Sequence, residues 1–108
     1  MAYCTSADVL ALVSTNMSAA DVNDIIARTD ERIKLRIDVG SVNALVLEDI
    51  SSLWSAYRVM LRDPNARSLG EYSERRETAL QLLKKEIDEL LAMANSGVSI
   101  IGAMEEVI

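Results

Sequence analysis

Leu80, Leu83, Ile87, Leu90 and Ala94 recur at intervals of three, four, three and four residues. Side chains at those intervals share one face of a 3.6-residue helix, whereas in a strand they would scatter over both faces. Leu82, Leu91 and Met93 widen the stripe, so the spacing predicts a helix that starts at Tyr72 or Ser73 and runs to Asn95, where Asn95, Ser96 and Gly97 break it. Two further stripes keep the same rhythm: Val22, Ile26, Thr29, Ile33 and Ile37, and then Leu47, Ile50, Trp54, Tyr57 and Leu61. Three apolar faces in a chain of 108 residues must be buried against one another. The expected fold is all-α, a small helical bundle of one short and three long helices.

The ends of these helices are marked. Thr5 followed by Asp8 reads as a capping-box-like start, in which the hydroxyl can accept an orphan backbone N–H and the carboxylate sits in the positively polarised first turn. A short helix over Ser6 to Ser14 follows. Ser18 and Asp21 repeat the device, and the helix they open is expected to end near Val39, with Gly40 as the left-handed stop. Asp24 with Arg28, and Asp30 with Lys34, form i,i+4 pairs on its wet side. The next helix is placed from Val42 to Arg62, because Pro64 forbids continuation. Ser51, Ser52, Ser55 and Ala56 lie beside its stripe, either as a solvated face or as a flat surface that another subunit can approach.

Composition narrows the chemistry. Half of the residues are hydrophobic but only 4% are aromatic, with no Phe, so the core is built from Leu, Ile, Val, Ala and Met. A mass of 11.9 kDa accommodates one domain, assigned to residues 1–97, with a separate tail over 98–108. The net charge of -6 argues against a domain that grips nucleic acid by neutralising phosphates. Cys4 has no partner cysteine and the chain has no histidine, which removes internal disulfides, the usual zinc sets and the histidine-activated nucleophiles. No enzymatic activity, cofactor or metal is expected. The start "MAYCTSADV" lacks the basic and apolar regions of a signal peptide, and the most apolar stretch, Val42 to Leu61, is interrupted by Glu48, Asp49 and Arg58. The chain reads as soluble and intracellular.

Glu86, Asp88 and Glu89 do not converge, since helix geometry turns position 86 about two hundred degrees from 88, and Lys84 and Lys85 interleave with them. Asp63 and Asn65 around Pro64 lack the alternating oxygen series of a calcium loop. Two features invite a functional reading. Arg58, Arg62, Arg67, Arg75 and Arg76 make the segment around "RDPNARSLGEYSERR" locally positive, suited to a solvated loop or to docking on an acidic neighbour. The tail "VSIIGAMEEVI" carries Val98, Ile100, Ile101, Met104, Val107 and Ile108, too few to build a core and too apolar for a frayed terminus. Such a tail either folds back on its own domain or docks on a partner, and docking is the expected role.

The segment "AYRVMLRDPNARSLGEYSERR" resembles the one that closes the core in the small head-to-tail connector proteins of tailed phages, where a helix ends in an Arg/Asn-Pro turn followed by an Arg-Ser link and a Gly-Asp/Glu-Tyr-Ser sequence. The matching positions are Arg62, Asp63, Pro64, Arg67, Ser68, Gly70, Glu71, Tyr72 and Ser73. "AYCTSADVLALV" resembles the family's short capped first helix, and "MSAADVNDIIARTDERIKLRI" its second. The resemblance covers roughly residues 1–76; beyond it, relatives continue as an extended arm, whereas "SERRETALQLLKKEIDELLAMA" is strongly helical.

The resemblance implies a virion structural protein of the neck: an adaptor subunit, commonly in a twelve-membered ring below the portal, that extends the DNA channel and receives a tail terminator or stopper. DNA would pass through without specific binding. Portal docking then falls to Val98, Ile100, Ile101, Met104, Val107 and Ile108, and the subunit or tail interface to Arg62, Arg67, Tyr72, Arg75 and Arg76. The alternative is a small cytoplasmic helical regulator that binds a protein target through the same tail. A helix-turn-helix with Ser14 to Ser18 as its turn is disfavoured, because no helix presents basic residues alone at its start.

Overall fold

In a computed structural model of the chain, which describes residues 2–68 and 76–95, four helices form an all-α globule. α1 spans Ser6–Leu10, α2 Ala19–Arg36, α3 Ala44–Arg62 and α4 Arg76–Asn95; β1 (Val13–Ser14) and β2 (Arg67–Ser68) form a two-residue antiparallel ladder. α2 and α4 both pack along α3, and α1 lies across α2 and α3.

Both hydroxyl caps form. Thr5 Oγ1 accepts the Asp8 N–H while the Asp8 carboxylate accepts the Thr5 N–H, and Ser18 Oγ accepts the Asp21 N–H. α1 stops at Leu10, shorter than the expected Ser14, because Val13 leaves the helix, enters the ladder and is fully buried. α2 ends at Arg36 rather than Val39, and the stop is not Gly40. Ile37 turns extended (φ -141°, ψ 160°) and drops into the core, while Gly40 sits in a 3₁₀ turn over Val39–Ser41 whose cap is Asp38. α3 starts at Ala44, two residues later than Val42, because Asn43 Oδ1 accepts the Leu45 N–H and fixes the cap there.

α3 is the central helix, and this rotates and broadens its apolar face. Leu47, Ile50, Leu53, Ala56, Val59 and Met60 are buried, Trp54 and Tyr57 only half-buried, and Leu61 is 56% exposed. Ser51, Ser52 and Ser55 are buried too, which corrects the expectation of a solvated serine face: the small side chains admit the chain's own helices. On α4 the buried row is Ala79, Leu83, Ile87 and Leu91, flanked by half-buried Leu80, Leu90 and Ala94, so that Leu82 and Met93 point outward.

Asp30 is a second correction. It does not pair with Lys34 on a wet face; it is buried, accepting the Tyr3 N–H at 3.0 Å and the Ser51 hydroxyl at 2.6 Å, while Lys34 turns to Glu31 at 3.3 Å. Ser51 Oγ also lies 3.1 Å from Cys4 Sγ. One hydroxyl proton is shared between two acceptors, and the shorter contact to the Asp30 carboxylate is the better one; burial pushes the pKa of the Cys4 thiol up to about 11. The N-terminal segment, α2 and α3 are thereby joined by one polar chain inside an aliphatic core. The predicted Asp24–Arg28 pair forms at 3.6 Å on the surface.

The proline turn closes α3 and returns the chain to its beginning. Asp63 donates its N–H to Val59, its carboxylate accepts the Asn65 N–H at 2.9 Å, and Thr15 donates its hydroxyl to the same carboxylate. Val13 then faces Ser68, and Ser14 faces Arg67, across the ladder. Asp63 and Asn65 therefore serve the turn itself.

Candidate functional site

α2 and α3 run side by side, and their chemistry converges on a groove of about 310 Å³. α2 supplies Ile25, Arg28 and Arg32 at intervals of three and four, and α3 supplies Trp54, Tyr57, Arg58, Leu61 and Arg62 at three, one, three and one. Helical periodicity places each set on one face, so four guanidinium groups from two helices surround two aromatic rings. Ile25 closes the floor, being 2% exposed.

The electrostatics of this groove are unusual in a chain of net charge -6. Burial lowers the pKa of Arg58, and the neighbouring cations Arg32, Arg62 and Arg28 push it further down. Like charges held together in a partly desolvated place raise the free energy of the unliganded protein, and an anion placed among them relieves it. Arg28 already has Asp24 at 3.6 Å; among the described residues no carboxylate forms an ion pair with Arg32, Arg58 or Arg62. Planar guanidinium forks match carboxylates and phosphates, and the faces of Trp54 and Tyr57 can hold such forks by cation–π contact. The arrangement is chemically suited to an anion. It offers no nucleophile and base in concert, and no metal-binding group of three ligands occurs among the described residues.

Of the interface residues expected from the sequence, Arg62 lines the groove and Arg67 stands exposed in β2. Arg76 opens α4. Tyr72 and Arg75, and the tail residues Val98, Ile100, Ile101, Met104, Val107 and Ile108, lie outside the described residues. Arg28 and Arg32 are the members that sequence reasoning missed. The available signal was the pair of i,i+4 arginines on each helix, Arg28/Arg32 and Arg58/Arg62, but nothing in the spacing says that the two pairs meet.

Comparison with known proteins finds no matching family model, no matching curated protein and no matching solved structure.

Proposed function

We propose that this protein is a subunit of a phage head-to-tail connector, a structural adaptor that forms a ring below the portal, extends the DNA channel and meets a tail terminator or stopper. The observation that carries the reading is the closure of the proline turn. The two segments with the resemblance, near the N-terminus and around Arg62 to Ser68, are tied to one another by the Thr15–Asp63 hydrogen bond and the β1–β2 ladder. Residues far apart in sequence thus belong to one structural unit, which supports reading the two segments together.

Charge supports the same reading. A net charge of -6 suits a conduit through which DNA slides, because a basic wall would retain the phosphates. The arginine groove fits protein carboxylates in such an assembly, and the apolar residues of 98–108 fit a docking segment for portal. The protein would be made in the host cytoplasm and reside in the virion neck.

Light scattering of the purified chain, alone and mixed with portal protein from the same genome, tests the proposal. A ring mass or co-elution with portal is expected, and deletion of 98–108 should abolish portal binding while leaving the helical circular dichroism intact. A small species that ignores portal, and whose tail instead captures a soluble protein target, would refute the connector and favour the regulator.

A further inference from the structure

The groove of Arg28, Arg32, Arg58 and Arg62 has a complement on the same molecule. Leu82, Glu86, Glu89 and Met93 recur along α4 at intervals of four, three and four, within one narrow arc of the helix, and all four are exposed. The stripe reads aliphatic, acidic, acidic, aliphatic. The groove reads the reverse in charge, with Trp54, Tyr57 and Leu61 as apolar surface.

Dimensions agree as well. Glu86 and Glu89 are separated by about 4.5 Å along the helix axis, and Arg58 and Arg62 by about 6 Å, so two carboxylates can meet two guanidinium groups in register. Among the described residues none of α4 lines the groove, so stripe and groove are different surfaces of one subunit.

We infer that the groove between α2 and α3 receives the Leu82, Glu86, Glu89 and Met93 stripe of a second copy of this chain. Such a contact is heterologous: each copy that fills a neighbour's groove keeps its own groove open, so association propagates and closes as a ring when the rotation permits. This deepens the connector reading, on which the ring closure rests, by naming the surfaces through which copies meet. A nucleic-acid strand fits the groove less well. An extended polyanion would run past the carboxylates of Asp24 and Glu31 on α2, which a stripe of two glutamates need not approach.

The test uses the full chain in sedimentation equilibrium up to millimolar concentration, together with the emission of Trp54, the single tryptophan, which lies in the groove. Self-association with a blue shift of Trp54 is expected. Arg58→Glu with Arg62→Glu, and separately Glu86→Arg with Glu89→Arg, should each weaken association at least tenfold, and the fourfold variant should recover it. The milder Arg58→Gln/Arg62→Gln and Glu86→Gln/Glu89→Gln pairs should weaken it at least fivefold, and they decide the matter should a reversed variant lose its helical circular dichroism. Three results would overturn the inference: a wild-type chain that stays monomeric, association indifferent to these substitutions, or a groove that instead binds a labelled DNA duplex in an Arg58- and Arg62-dependent way. Portal binding that survives the groove substitutions would remove this contact while leaving the connector reading in place; loss of wild-type portal binding would remove the connector reading itself.

Discussion

Ser51 and Ser55 are one turn apart on α3, and both are fully buried. Their replacement by Ala is the same chemical change in the same helix, yet the two substitutions should move stability in opposite directions. Ser51 donates to the buried Asp30 carboxylate at 2.6 Å. Its removal leaves that carboxylate with the Tyr3 N–H alone among the donors described, a loss of about 1.5–3 kcal/mol for a hydrogen bond to a charged group. Better helix propensity of Ala returns about 0.5 kcal/mol, so Ser51→Ala should cost about 1–2.5 kcal/mol. Among the described residues Ser55 Oγ is buried with no hydrogen-bond partner, a state that costs about 1–3 kcal/mol. Ser55→Ala removes that penalty and gains the same propensity, offset by the small void left behind, and should stabilise by about 1 kcal/mol. Urea denaturation followed by circular dichroism at equal m-values measures both. Equal destabilisation by the two substitutions would refute the assignment of Asp30 as a carboxylate held by Ser51.

Leu83, 1% exposed on the core side of α4, should cost about 2–5 kcal/mol as Leu83→Ala, whereas Leu82→Ala on the outward face should cost well under half as much; equal costs in thermal melts would misplace the core. Cys4, buried with its pKa raised from 9.0 to about 11, keeps its proton in the folded chain where the unfolded chain has lost it. The wild type should therefore lose stability relative to Cys4→Ala as pH rises from 9 towards 11, and native Cys4 should react slowly with a thiol reagent at pH 8. A constant difference between the two proteins over that window would show that the thiol is not held neutral.

The periodicity of the sequence carries the helices because each long helix leaves one side to solvent or to a single neighbour, and their caps are local devices within four residues of one another. It misleads where burial comes from several sides. α3 is packed by α1, α2 and α4, so its serines sit inside, although polarity alone reads them as wet. Asp30 illustrates the same limit. Its i,i+4 neighbour Lys34 suggests a surface pair, but its partners, Tyr3 and Ser51, are 27 and 21 residues away. The groove was half legible: Arg58 and Arg62 stood out beside the proline turn, while Arg28 and Arg32 joined them only through the packing of α2 on α3.

The turn at Pro64 has a further consequence for how the molecule opens. Thr15 and Asp63, 48 residues apart, close a circuit that contains all of α2 and α3, and α4 lies beyond its closing point. Hydrogen exchange should therefore separate two cooperative units, the closed circuit protected to the global limit and α4 released at a lower free energy. Copies that traded α4 would do so without breaking the circuit, so the Thr15–Asp63 closure and the β1–β2 ladder would persist in each exchanged copy.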